Sequence, residues 1–193
     1  PSRSTPARPA LEITWRSGFA DEIRIQRVPK IALHDLYAQL RKLALVRFTT
    51  KLVVGSPTLP RPYLEHGSYR QLLNTIANDG APAHLRTLVL GDIPLSQRVS
   101  LDIGDLRPVV ERCVALEELE LKRGMGILGP LSSERLRKLV FDNIAEPLRD
   151  LTRLGRVDDG DELIARHRHA GESEDLHRRC RTGRLHRLAA LVE

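Results

Sequence analysis

Three stretches of the chain carry residue types able to do chemistry. Asp158-Asp-Gly-Asp-Glu162 packs four carboxylates into five residues, the raw material of a calcium loop. Such a loop needs its turn glycine at the sixth position and a closing glutamate at the twelfth. Here the glycine arrives third and the distal glutamate is absent, so the stretch reads as a solvated acidic turn. Arg166-His-Arg-His169, with His177 and His186, holds imidazoles for a transition metal. His167 and His169 stand two apart, a spacing that splays them on a helix, and the neighbouring Arg166 and Arg168 repel a cation. Gly124-Met-Gly-Ile-Leu-Gly129 follows a strand, as a phosphate loop would, but lacks the Gly-Lys-Ser/Thr ending. It reads as a compact turn. No serine sits in a nucleophile setting such as G-x-S-x-G. The sequence therefore assigns no catalytic residue, no metal ligand and no cofactor, and the protein is not expected to be an enzyme.

The elements that would position any site are clearer. Leu85-Arg-Thr-Leu88-Val-Leu90-Gly-Asp92 spells leucine, two residues, leucine, one residue, leucine. The figure returns in Leu116-Glu-Glu-Leu119-Glu-Leu121 and in Leu136-Arg-Lys-Leu139-Val-Phe141, each predicting a strand. Phe48 to Val54 is β-branched and ends at Gly55. Leu11 to Trp15 and Glu22 to Ile25 alternate about a turn at Gly18. Between these lie amphipathic stretches that predict helices over 31–45, 68–77 and 103–115, with Pro108 placed early in the last, where its missing N–H costs least. Ser56 to Pro62, with three prolines, reads as an irregular crossing loop and Ile93 to Ser100 as a polar connection. Cys113 falls on an apolar helix position and is expected to be a small buried hydrophobe. Cys180 has no partner at a spacing suited to zinc or to a disulfide framework. Trp15, alone of its kind, is expected to cover the open end of the core.

Leu52, Leu88, Leu119 and Leu139 stand in like positions, 36, 31 and 20 residues apart, and Ile23 precedes Leu52 by 29. Repeats of this length and figure predict a stack in which each unit buries its neighbour's apolar face. The expected fold is α/β, a short leucine-rich-repeat solenoid with parallel strands on one face and helices on the other, plus an irregular C-terminal segment. A composition of 41% hydrophobic but only 4% aromatic residues suits such an aliphatic stack.

Charge and the chain ends add less. The net charge is +6, and residues 1–51 hold ten basic and four acidic residues, so the whole excess lies there. Such a basic quarter would attract nucleic acid or an anionic surface. Yet its cations are scattered, with no aromatic platform among them, as on an ordinary solvated face. Residues 1–10 predict a disordered arm. Residues 144–193 lose both lysine and aromatics and show no further strand figure. They read as a helical cap, a flexible tail, or a translated frameshift. No apolar run approaches the ~20 residues needed to span a bilayer, and no leader pattern is visible, so a cytoplasmic protein is expected. The chain opens on Pro1, which leaves room for an upstream segment.

In the expected solenoid, the residues between the inward leucines form an open sheet face: Arg86, Thr87 and Val89, then Glu117, Glu118 and Glu120, then Arg137, Lys138 and Val140. Its basic, acidic, basic alternation predicts lateral ion pairs between strands and equally offers a charged ledge to a partner.

Leu11-Glu-Ile-Thr-Trp-Arg-Ser-Gly-Phe19, Val46 to Gly55, His84 to Asp92, Asp102-Ile-Gly-Asp-Leu106, Leu116 to Leu121 and Leu136 to Phe141 together resemble the leucine-rich-repeat proteins of myxobacteria and related bacteria that carry a small repeat-companion domain. The resemblance covers about residues 11–143. It implies a curved α/β solenoid used in protein interaction, with no catalytic residues to carry over. Two departures stand out: the acidic, helical companion domain is absent, and the leucine repeats do not continue past Asn143. The expected function is a non-enzymatic protein-protein interaction module. The alternatives are a basic nucleic-acid-associated protein, or a fragment of a larger repeat protein.

Overall fold

A computed structural model describes residues 9–57, 65–93, 99–124, 133, 135–144 and 162–166. The chain opens with an antiparallel hairpin, β1 (Leu11–Arg16) and β2 (Phe19–Ile25). Its two turn residues, Ser17 and Gly18, have φ of 50° and 85°, the left-handed pair that matches a tight turn to strand twist. Then follow α1 (Leu33–Leu40), a 3₁₀ turn (Ala44–Phe48), β3 (Lys51–Val54), β4 (Glu65–Ser68), α2 (Arg70–Asp79) and β5 (Thr87–Leu90). The chain continues through β6 (Val99–Asp102), α3 (Arg107–Arg112), β7 (Glu118–Gly124), β8 (Lys138–Ile144) and β9 (Glu162–Arg166).

The result is a mixed α/β fold with a mostly parallel, open sheet in the order β1-β2-β3-β5-β7-β8-β9. All pairings after the first hairpin are parallel. Register aligns Ile23, Leu52, Leu88, Leu119 and Leu139 in one row across the sheet, and Ile25, Val54, Leu90 and Leu121 in a second. The spacing of the leucines in the sequence thus translates directly into lateral alignment. These rows are buried and pack with Leu33, Tyr37 and Leu40 of α1, Leu72, Leu73 and Ile76 of α2, and Val109 and Val110 of α3. The helices neighbour one another in strand order, α1 on α2 and α2 on α3. Full burial of each leucine stabilises by about 1.5–3 kcal/mol.

Several expectations are corrected. The helix expected over 31–45 stops at Leu40. Leu43 is extended (φ −83°, ψ 129°) and a 3₁₀ turn brings Val46 into the core while leaving Leu43 45% exposed. The helix expected over 103–115 shrinks to Arg107–Arg112, because Gly104 turns left-handed (φ 81°) just before it. Ser68 belongs to a strand, and the second helix runs on to Asp79, where Gly80 (φ 87°) ends it. Val99 and Ser100, expected to lie in a polar connection, open β6, which pairs with β4 in a second, two-stranded parallel sheet. Asp102 holds that pair to α2: its carbonyl accepts from the Tyr69 N–H at 2.9 Å, and its carboxylate accepts from Ser68 Oγ at 3.1 Å and pairs with Arg70 at 3.3 Å. Trp15 does not cover the core; it is 56% exposed on the outermost strand, at a register shift.

The expectation that no strand follows residue 143 is also corrected. β9 pairs with β8 in parallel and sets Leu163 in register with Leu139. Residues 145–161 and 167–193, with Asp158, His167, His169, His177, Cys180 and His186, lie outside the described residues, as do residues 1–8 and 125–130.

Candidate interaction face

Alternation along the strands turns one set of side chains to the leucine core and the other to the opposite face of the sheet. That face is ordered in rows. One row reads Glu22, Lys51, Thr87, Glu118, Lys138 across five strands, and the next reads Arg24, Val53, Val89, Glu120, Val140. Cations and carboxylates fall next to each other, and they pair. Lys51 Nζ lies 2.8 Å from Glu22, and Lys138 Nζ 3.8 Å from Glu118. Beyond the strand ends, Asp92 is gripped between the Arg24 guanidinium and Lys122, the latter at 3.3 Å. Arg24 also reaches Glu22 at 3.3 Å and Glu12 at 3.5 Å, while Lys122 lies 3.6 Å from Glu120. Of the lateral ion pairs expected among Arg86, Glu117, Glu118, Glu120, Arg137 and Lys138, the described residues show one, Lys138 with Glu118.

The nine residues expected on this face divide into three rows. Thr87, Glu118 and Lys138 form the first and are partly exposed. Val89, Glu120 and Val140 form the second, but Val89 and Val140 are buried, at 2% and 5% exposure, as is Val53 at 2%. None of the three valines belongs to the leucine core cluster. The expectation that Val89 and Val140 are presented outward is therefore corrected. Arg86, Glu117 and Arg137 form the third row, at the mouths of the strands. The Arg86 carbonyl accepts from the N–H groups of Glu117 and Glu118, and the Glu117 carbonyl from those of Arg137 and Lys138. Arg86 and Glu117 line a cavity of about 490 Å³ together with residues from the α3 end, so they serve a different surface from Thr87 and Glu118.

No family model, curated protein or solved structure matches the chain. What the site can do must come from its own groups. The titratable groups whose environment moves them do not converge. Burial pushes the Cys113 thiol up to about 12, which leaves it a poor nucleophile. Burial raises the Tyr37 and Tyr69 phenols well above the ordinary tyrosine range. Tyr69 donates to the Gly55 carbonyl at 2.7 Å and Tyr37 to the Gly80 carbonyl at 3.3 Å, so each acts as a core bracket. Asp105 lies low through its hydrogen bonds with Arg107, on an exposed loop before α3. Among the described residues no group of three or more His, Cys, Asp or Glu is gathered to hold a metal ion, and no helix is long and apolar enough to cross a membrane.

The split of the expected face into rows was hidden from the sequence for one reason. The leucine figure identifies which residues are buried, but Arg86 and Thr87 are adjacent in it and only the start of the strand at Thr87 separates them. The partners of Arg24 and Lys122 were missed because Asp92 lies 68 and 30 positions away from them. Nothing local signals that pairing.

Proposed function

We propose that the chain is a non-enzymatic protein-protein interaction module of leucine-rich-repeat type, a short solenoid whose open sheet face meets its partner. The observation that carries this reading is the in-register row Leu52, Leu88, Leu119, Leu139. It supports a stack of repeated units, each adding one strand to a rigid surface. A surface of preordered, ion-paired side chains loses little freedom on binding, which favours recognition of a folded partner. Its charge alternates, so specificity comes from matching that order. A cytoplasmic setting belongs to the same proposal.

The test is capture from a lysate of the source with the native protein and with a variant bearing Lys51→Glu, Lys138→Glu, Glu118→Lys and Glu120→Lys. A folded variant that loses a specific partner supports the reading; an unchanged partner set overturns it. The nucleic-acid reading draws less support. Arg24 and Lys51, two cations of the basic first quarter, are held by carboxylates on the sheet. Binding to nucleic acid would weaken steeply between low and moderate salt, and no binding at low salt removes that reading.

A further inference from the structure

Three residues before the row Glu22, Lys51, Thr87, Glu118, Lys138 stand Phe19, Phe48, His84, Ala115 and Arg135. They occupy like positions along the edge where the strands begin. The first three are rings in contact. Phe19 and Phe48 lie 4.9 Å apart between centroids at 51°, and Phe48 and His84 lie 6.1 Å apart with planes only 7° from parallel. Phe19 and Phe48 are 53% and 47% exposed. The fifth position is a guanidinium, also exposed. The fourth is alanine, and there the row is interrupted.

The interruption is the cavity of about 490 Å³. Ala115 lines it, with His84 and Arg135 from the two neighbouring positions, Arg86 and Glu117 from the row behind, and Val114, which is 72% exposed. Strands of a sheet lie about 4.8 Å apart, so His84 and Arg135 belong to positions roughly 10 Å apart with one ring-width between them. A flat group entering over Ala115 would stack on the imidazole on one side and meet the guanidinium on the other, a cation–π arrangement. None of the ion pairs seen among the described residues uses Arg86, Glu117 or Arg135. Glu117 lines the same cavity with a carboxylate acceptor and Val114 with an apolar side chain. Both match an aromatic side chain that carries an N–H or O–H.

We propose that the gap over Ala115 is a binding site for one aromatic side chain of a partner protein, a tryptophan or tyrosine, which completes the row Phe19, Phe48, His84, Arg135. The identity of the occupant as a side chain rests on the interaction-module reading; the site itself does not. Anchors of this kind, seated in a pocket, carry a large share of the energy of many interfaces.

The test titrates the full chain with N-acetyltryptophanamide while following the carbon-bound protons of the His84 ring by NMR. The expected result is a saturable upfield shift of those signals from the stacked indole. Ala115→Phe fills the gap from within and should abolish the probe-induced shift, with the His84 signals already upfield in the free variant. His84→Ala should abolish binding by loss of the stack, read there from the line widths of the probe's own indole protons. Arg135→Ala should weaken it about two- to fivefold, the size of an exposed cation–π contact. An absent shift, undiminished binding to folded Ala115→Phe and His84→Ala, or equal shifts with N-acetylleucinamide would overturn the site. A larger response to adenosine would overturn the assignment to a side chain. Because the probe reads the cavity directly, failure here leaves the result of the open-face charge reversal unaffected.

Discussion

Thr49 stands two residues before Lys51, at the position that Ala20, Leu85 and Leu116 fill in the neighbouring strands. All four are fully buried, and the Thr49 hydroxyl has no hydrogen-bond partner among the described residues. Thr49→Val keeps the shape and removes the unsatisfied group, so it should raise stability by about 1 kcal/mol in urea denaturation; a destabilised variant would show that the hydroxyl is satisfied. Tyr69 is the opposite case. Its hydroxyl donates to the Gly55 carbonyl, and Gly55 approaches its neighbour so closely that an added Cβ would lie 2.9 Å from Gln26 Cβ. Tyr69→Phe leaves that carbonyl unpaired and should cost about 1–3 kcal/mol. The raised phenols of Tyr37 and Tyr69 also set an alkaline limit. Between the ordinary tyrosine value near 10 and the raised folded value, the native state holds more protons than the unfolded chain. Stability is therefore intact below pH ~10 and falls as pH rises beyond it. Phenolate absorbance from these two residues should appear only together with loss of the folded far-UV spectrum.

The strands differ sharply in what each of their two faces contributes. Leu119→Ala in β7 removes a fully buried residue between Leu88 and Leu139 of the two neighbouring strands and should cost about 2–5 kcal/mol. Neutralising Lys138 and Glu118 together should change stability by less than about 1 kcal/mol, with any effect fading as salt is added, because the pair is partly solvated. This asymmetry explains what could be read without coordinates. The buried face writes itself as leucine at fixed intervals, so the order and alignment of β3, β5, β7 and β8 were legible. Element lengths were not, because backbone geometry sets them: α1 has ended before the extended Leu43, and α3 starts only after the left-handed turn at Gly104. β4, Glu65-His-Gly-Ser68, carries no hydrophobic alternation, and β6, Val99-Ser-Leu-Asp102, alternates over only four residues. Backbone pairing and the carboxylate of Asp102 hold them, and that bond spans 34 positions. Trp15 has the side chain of a core residue, but its strand is the outermost one. On the candidate face, the alternation of charge was legible and its partners were not. A leucine pattern says which side chains are hidden and nothing about which neighbours the remainder will meet.

At the scale of the whole molecule the sheet ends differently on its two sides. One side is closed by an antiparallel hairpin, the other by β9 lying parallel on β8. β9 covers the edge of β8 and becomes the edge strand in its place among the described residues. The hairpin has a further consequence in time. β1 and β2 are joined by two residues, whereas each later pairing joins residues 20 to 36 positions apart. A hairpin closes in about 1–10 μs, so this pair is ready as soon as both strands exist. At a synthesis rate of about 5–20 residues per second, each further strand follows its neighbour by about 1–7 s. Pairing is then fast relative to supply. The sheet can grow in the order of translation, each new strand templated on the one made before it.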